Sequence, residues 1–201
     1  MDLSIMRTLV RRDLKDEDNS NYRWQDNEID RAIGRAVAEL SRDIPREMKT
    51  TIATTDGSRE IDIAALVDRV SVDRVEFPAG ETPRRFQRFV VYEDTITLVG
   101  DNEGDGTNCY IYWGRVHTLD ISTSTIPGYL EDILALGAAA YAVLAQAQYR
   151  TDVAGIGGER ADSDYQGWGA AGLKEFKSQL QRLGRNRKLI VGTLFEGSNS
   201  E

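Results

Sequence analysis

The places in this 201-residue chain where residue type and spacing could do chemistry are few: one histidine, one cysteine, two linker serines, one pair of adjacent acids, and two glycine-punctuated runs. His117 has no second histidine to form a metal-binding pair with. A Ser-His-Asp triad would have to use it, yet no G-x-S-x-G elbow occurs, and Ser122 and Ser124 stand in a plain polar linker. A structural role after a strand is the expectation for it. Cys109, between residues of an alternating stretch, reads as a small buried hydrophobe. Gly167-Trp168-Gly169-Ala170-Ala171-Gly172 matches G-x-G-x-x-G letter for letter. A dinucleotide site needs an apolar strand just before that run, and residues 159–164 are polar. Small residues at a helix contact are the better reading. Residues 101–106 crowd oxygen ligands around a glycine as a calcium loop does. The twelfth position is Tyr112, however, where a bidentate glutamate is needed, and the flanks read as strands. A surface turn is expected. Glu131 and Asp132 are adjacent and so point in different directions on a helix, which does not suit paired acid–base work. The expectation is no enzyme: catalytic, cofactor-binding and metal-ligating residues none, and no cofactor.

The composition is that of an ordinary soluble protein. Hydrophobic residues make up 40% and charged residues 29%, a balance that folds, and a domain of this size buries roughly 70% of its unfolded surface. The net charge of -8 argues against a broad surface for gripping duplex phosphates. Against that trend, residues 182–188 carry four basic side chains and no acid: Arg182, Arg185, Arg187 and Lys188. A single cysteine permits no intrachain disulfide and suits a reducing compartment. The N-terminus lacks the basic-then-apolar order of a secretory signal. The longest apolar stretch, residues 133–147, reads as too short to cross a bilayer, which takes about 20 residues. No membrane role follows.

The elements that would position any site come in three groups. Residues 4–14 form a short helix that Ser4 can cap. Ile29, Ala32, Ile33, Ala36, Val37 and Leu40 draw one apolar stripe along a second helix. Trp24 can staple its entry, Asp26 and Glu28 suit its positive end, and Pro45 stops it. From 48 to 118 the period becomes alternating. Residues 50–54 and 59–63 read as a hairpin around Asp56-Gly57-Ser58, Val75 and Phe77 fall out of phase with Val70 and Val72 as at a bulge, and strands follow at 86–92, 95–99 and 109–116. Helices resume after Pro127: an Ala-rich run to about Arg150, in which Gly137, Ala138, Ala142 and Ala145 permit close approach, then a last helix over 163–183 that Gly184 should stop.

The expected fold is therefore α+β: a bundle of about four helices interrupted by a small antiparallel β insert, with an extended C-terminal tail. The boundaries are 1–47 and 119–184 for the bundle, 48–118 for the insert and 185–201 for the tail. Leu189, Ile190, Val191, Leu194 and Phe195 form an apolar run after the basic cluster. Such a run suits a lone monomer poorly, since an exposed strand invites pairing. Either it folds back as an extra strand or it adds to a partner, and the partner is favoured.

The run Tyr22-Arg23-Trp24-Gln25-Asp26-Asn27-Glu28-Ile29 resembles the Trp-(Ser/Thr)-Asp-x-Glu-Leu helix start of tailed-bacteriophage head–tail adaptor (connector) proteins. The helix then continues through Ala36-Val37-Ala38-Glu39-Leu40-Ser41, and the later Ala-rich helix 134–141 completes the likeness. Gln25 departs from the usual capping Ser or Thr. The resemblance implies a virion structural protein assembled in the host cytoplasm: a ring, usually of twelve subunits, docked beneath the portal protein, joined by tail proteins on its other side and threaded by the genome. It also implies that the C-terminal segment grips portal, which makes Arg185, Arg187, Lys188, Leu189, Ile190, Val191, Leu194 and Phe195 the candidate contact residues. A lumen lined with carboxylates would let DNA slide. Two other readings stand beside it: another ring-forming virion subunit, such as a head-completion or tail-terminator protein, or a monomeric binding module using Tyr92, Tyr110, Tyr112 and Trp113.

Overall fold

The computed structural model describes the backbone of residues 1–153 and 161–192 and the side-chain surroundings of 1–147 and 165–185. The chain divides into two compact units, one from residues 1–44 and 117–201, the other from Pro45–Val116. Each is built around its own apolar cluster.

The first unit is helical. Helix α1 (Leu3–Asp13) is capped by Asp2, whose carboxylate accepts the Ile5 N–H at 2.9 Å, so the cap falls two residues before Ser4. Helix α2 (Asp26–Asp43) buries Ile29, Ala32, Ile33, Ala36, Val37 and Leu40, the whole stripe read from the sequence. The Glu28 carboxylate accepts the Gln25 N–H at 2.7 Å, so half of a capping box forms without Ser or Thr at its head. After a 3₁₀ turn at Gly128–Leu130 comes α3 (Glu131–Val153), then α4 (Ala161–Gly192). Helix α3 is the hub and packs against α1, α2 and α4. Its small residues let α4 come close: a Cβ added at Gly137 would meet the Phe176 ring at 2.8 Å, and one at Gly169 would meet Leu144 at 2.8 Å. The segment Gly128–Ala147 spans 20 residues at a mean hydropathy of 1.4 and is long and apolar enough to cross a membrane, which corrects the shorter span read from the sequence. Leu134, Ala135, Ala138 and Ala139 within it belong to the core of the helical unit.

The second unit is all β, with two antiparallel sheets. Strands β1 (Arg46–Ala53), β7 (Asn108–Arg115), β3 (Arg69–Glu76) and β4 (Phe86–Gln87) form one, in the order β1-β7-β3-β4. Strands β2 (Glu60–Asp62), β6 (Thr95–Leu98) and β5 (Phe89–Tyr92) form the other, in the order β2-β6-β5. Ile61, Ile63, Val75, Ile96, Leu98, Cys109, Ile111 and Trp113, from both sheets, make one buried cluster. The register of β3 on β7 slips between Arg69 and Ser71 and again between Val72 and Arg74, the irregularity that the out-of-phase valines imply.

These observations overturn the expected fold class. The protein is α+β with seven strands in two sheets and four helices among the described residues, more β than a helical bundle with a small insert. The expected hairpin of 50–54 with 59–63 does not form: Arg46–Ala53 pairs with Asn108–Arg115, and Glu60–Asp62 pairs with Thr95–Leu98. Nor do residues 185–192 extend as a tail, because α4 runs through Gly184 and ends at Gly192.

Candidate partner interface

The C-terminal candidate residues are carried by α4. Its inner face holds Phe176 and Leu180, both fully buried, with Leu183 packed beside them. Lys177 Nζ lies 3.5 Å from Glu39 Oε1 on α2. Glu39 also takes the Tyr141 hydroxyl from α3, so one α2 carboxylate ties three helices. Burial, then that carboxylate, pushes the Tyr141 phenol well above its ordinary range. Gly184 is not a stop. A Cβ there would meet the Asp43 carbonyl oxygen at 2.8 Å, so the glycine lets α4 press on the C-terminal end of α2. Arg185, the next residue, is exposed. Arg187, Lys188, Leu189, Ile190 and Val191 lie on the following helical stretch, while Leu194 and Phe195 fall outside the described residues.

The family-like motif at the N-terminal end builds a buried ion network. Arg11 on α1 is only 6% exposed. It donates to Asp16 at 2.7 Å, to the Trp24 carbonyl at 3.1 Å and to Asp26 at 2.6 Å, and its guanidinium lies 3.4 Å from the centre of the Tyr22 ring. Asp16, buried in turn, accepts the Arg23 and Trp24 N–H groups at 2.7 and 3.3 Å. The polar stretch after α1 is thus clamped through its first acid. The Arg11 guanidinium beside Asp26 holds that carboxyl below its ordinary range, and Asp30, by hydrogen bond, raises Arg7 above its own. Trp24 is buried and its indole N–H donates to the Ala142 carbonyl at 3.3 Å, which ties the start of α2 to α3. The sequence signals Trp24 and Asp26 through the motif. Arg11 carries no such signal, since its i, i+5 and i, i+15 partners follow no helical period.

The remaining chemical candidates are placed in structural roles. His117 is buried, its ring nitrogens 3.1 Å from the Ile44 carbonyl oxygen and 3.0 Å from that of Thr125, and its N–H donates to Ser41 at 2.9 Å. Cys109 is buried in β7, and burial pushes its thiol up, away from the reactive thiolate. Of the four aromatics suggested for a binding module, Trp113 is core, with its N–H on Thr50 Oγ1 at 2.9 Å, whereas Tyr92 is 75% exposed and Tyr110 and Tyr112 are half-buried. Among the described residues, no group of three or more His, Cys, Asp or Glu side chains is placed to hold a metal ion.

The sequence matches the model of the SU10 adaptor protein family over residues 1–188, nearly the whole chain. The chain belongs to that family of phage head–tail adaptors, which makes it a structural component of a virion. A comparison with curated proteins found no match.

Proposed function

We propose that the chain forms a ring, dodecameric as adaptors of this kind imply, between the portal protein and the tail, and that the genome passes through its centre. Its C-terminal segment is the portal-gripping part, with Arg185, Arg187, Lys188, Leu189, Ile190, Val191, Leu194 and Phe195 as contacts. The observation that carries this reading is the course of α4. Gly184 sits against the C-terminal end of α2, and the helix continues from there to Gly192. Eight further residues carry the axis about 12 Å on, through the basic-then-apolar sequence. Binding energy at such contacts concentrates in apolar anchors and arginines, and this segment supplies both.

Tail proteins occupy the other side of the ring, and the net charge of -8 supports a lumen that repels the DNA backbone. The test is a chain that ends at Gly184. It should unfold cooperatively by circular dichroism and fail to co-sediment with purified portal, whereas the full chain co-sediments. A truncated chain that still binds portal would remove the segment from the interface, and loss of the fold would make it part of the core.

A further inference from the structure

The outer face of the β1-β7-β3-β4 sheet carries a construction that the adaptor reading does not use. Along β7 the side chains of Cys109, Ile111 and Trp113 face the core, so Tyr110 and Tyr112 stand on the opposite face. The register sets Lys49 and Arg74 on either side of Tyr112, and Thr51 and Glu76 on either side of Tyr110, with Phe86 beyond Glu76. Glu76 is 1% exposed: its carboxylate accepts the Tyr112 hydroxyl at 2.7 Å and the Gly80 N–H at 3.0 Å. It is consumed in holding that ring. Lys49 Nζ lies 3.5 Å from the centre of the Tyr110 ring, Arg74 lies 4.9 Å from that of Phe86, and Phe86 meets Tyr112 edge-on at 6.2 Å. Exposed Arg84 is near enough for its charge to act on Tyr112. Glu47 lies further along β1, Asp73 takes the Ser71 hydroxyl, and Glu81 pairs with Arg85 at 3.5 Å.

We propose that this face docks an acidic polypeptide segment of a partner protein, with Lys49 and Arg74 as its paired cationic contacts and Tyr110, Tyr112 and Phe86 as the platform that holds them. The choice of partner follows from what faces outward. A nucleic acid base or a sugar needs an open aromatic face to stack on, and here cations already cover the faces of Tyr110 and Phe86. Three cations are also too few to grip a phosphate backbone from a chain of net charge -8. They are well placed for carboxylates, which a lysine meets as a point charge and an arginine meets as a fork. Lys49 and Arg74 lie two strand spacings apart, about 10 Å, which is the reach of about three residues of extended chain. The partner segment therefore carries acids three residues apart.

The experiment is a titration of the full-length chain with a capped decaglutamate peptide, followed by amide resonances, and in parallel with oligothymidylate of matched charge. The proposal expects saturable peptide binding, shifts confined to residues around Lys49, Arg74, Tyr110 and Tyr112, and affinity weakened at least about tenfold in Lys49→Ala/Arg74→Ala. Lys177→Ala, on the helical unit, should bind as the parent does. Absence of saturable binding, shifts on the helices, undiminished binding by the double variant, or tighter binding of oligothymidylate would each overturn it. Should the double variant fail to fold, Lys49→Gln and the shift map of the parent chain decide in its place.

Discussion

Arg11 concentrates the residue-scale chemistry of the helical unit. One buried guanidinium answers two carboxylates and a carbonyl, and Asp16, itself buried, depends on it. Removing one partner of a buried pair leaves the other charge unmatched, at a cost of about 3–5 kcal/mol. Arg11→Ala should therefore lower stability by that order in chemical denaturation, far more than an exposed arginine such as Arg84. Asp26 gives the same network a pH dependence. Its folded-state carboxyl is held below the ordinary value by Arg11, so it stays ionised to lower pH in the folded chain than in the unfolded one. That contribution is complete above about pH 4, the ordinary aspartate range, and is lost as pH falls below it. Asp26→Asn should flatten the acid limb of a stability-versus-pH curve and leave its neutral part nearly parallel to the parent's. The Trp-x-Asp-x-Glu pattern made Trp24, Asp26 and Glu28 legible in the sequence. Arg11 and the Glu39 junction were not, because their partners come from other elements and leave no periodic trace.

At the scale of elements, local period decided what could be read. The α2 stripe repeats every three or four residues, so its existence and inner face follow from the sequence alone, while the Leu- and Ala-rich run of α3 marks a helix but not one inner face. In the β unit the strands at 95–99 and 109–116 were legible, but the long-range pairing was not, because β1 pairs with β7 and β2 with β6 across long intervening segments, while a reading from sequence defaults to the nearest hairpin. Gly184 shows the same ambiguity in one residue, since a glycine that ends a helix and one that admits a neighbouring backbone are the same letter. Gly184→Ala separates the two by sign. Helix propensity alone would raise stability by about 1 kcal/mol. The 2.8 Å approach to the Asp43 carbonyl oxygen predicts a net loss instead, of the order of the 1–3 kcal/mol seen on overpacking. Thermal denaturation of the single variant reads that sign directly.

For the whole molecule, the family match over residues 1–188 establishes a phage head–tail adaptor; the motif search had turned the reading away from catalysis, and the net charge away from a DNA-gripping surface. Assembly was less legible, because a contact between protein chains leaves no motif in the sequence of one of them. The course of α4 from Gly184 to Gly192 and the cation-bearing sheet face are the two surfaces that the account assigns to partners. Electron microscopy of purified portal mixed with the full-length chain, beside each component alone, tests the central claim most directly. The account predicts a ring of this chain added at one end of the portal, with particle symmetry that gives the subunit count. A chain that leaves the portal bare at saturating concentration would contradict it.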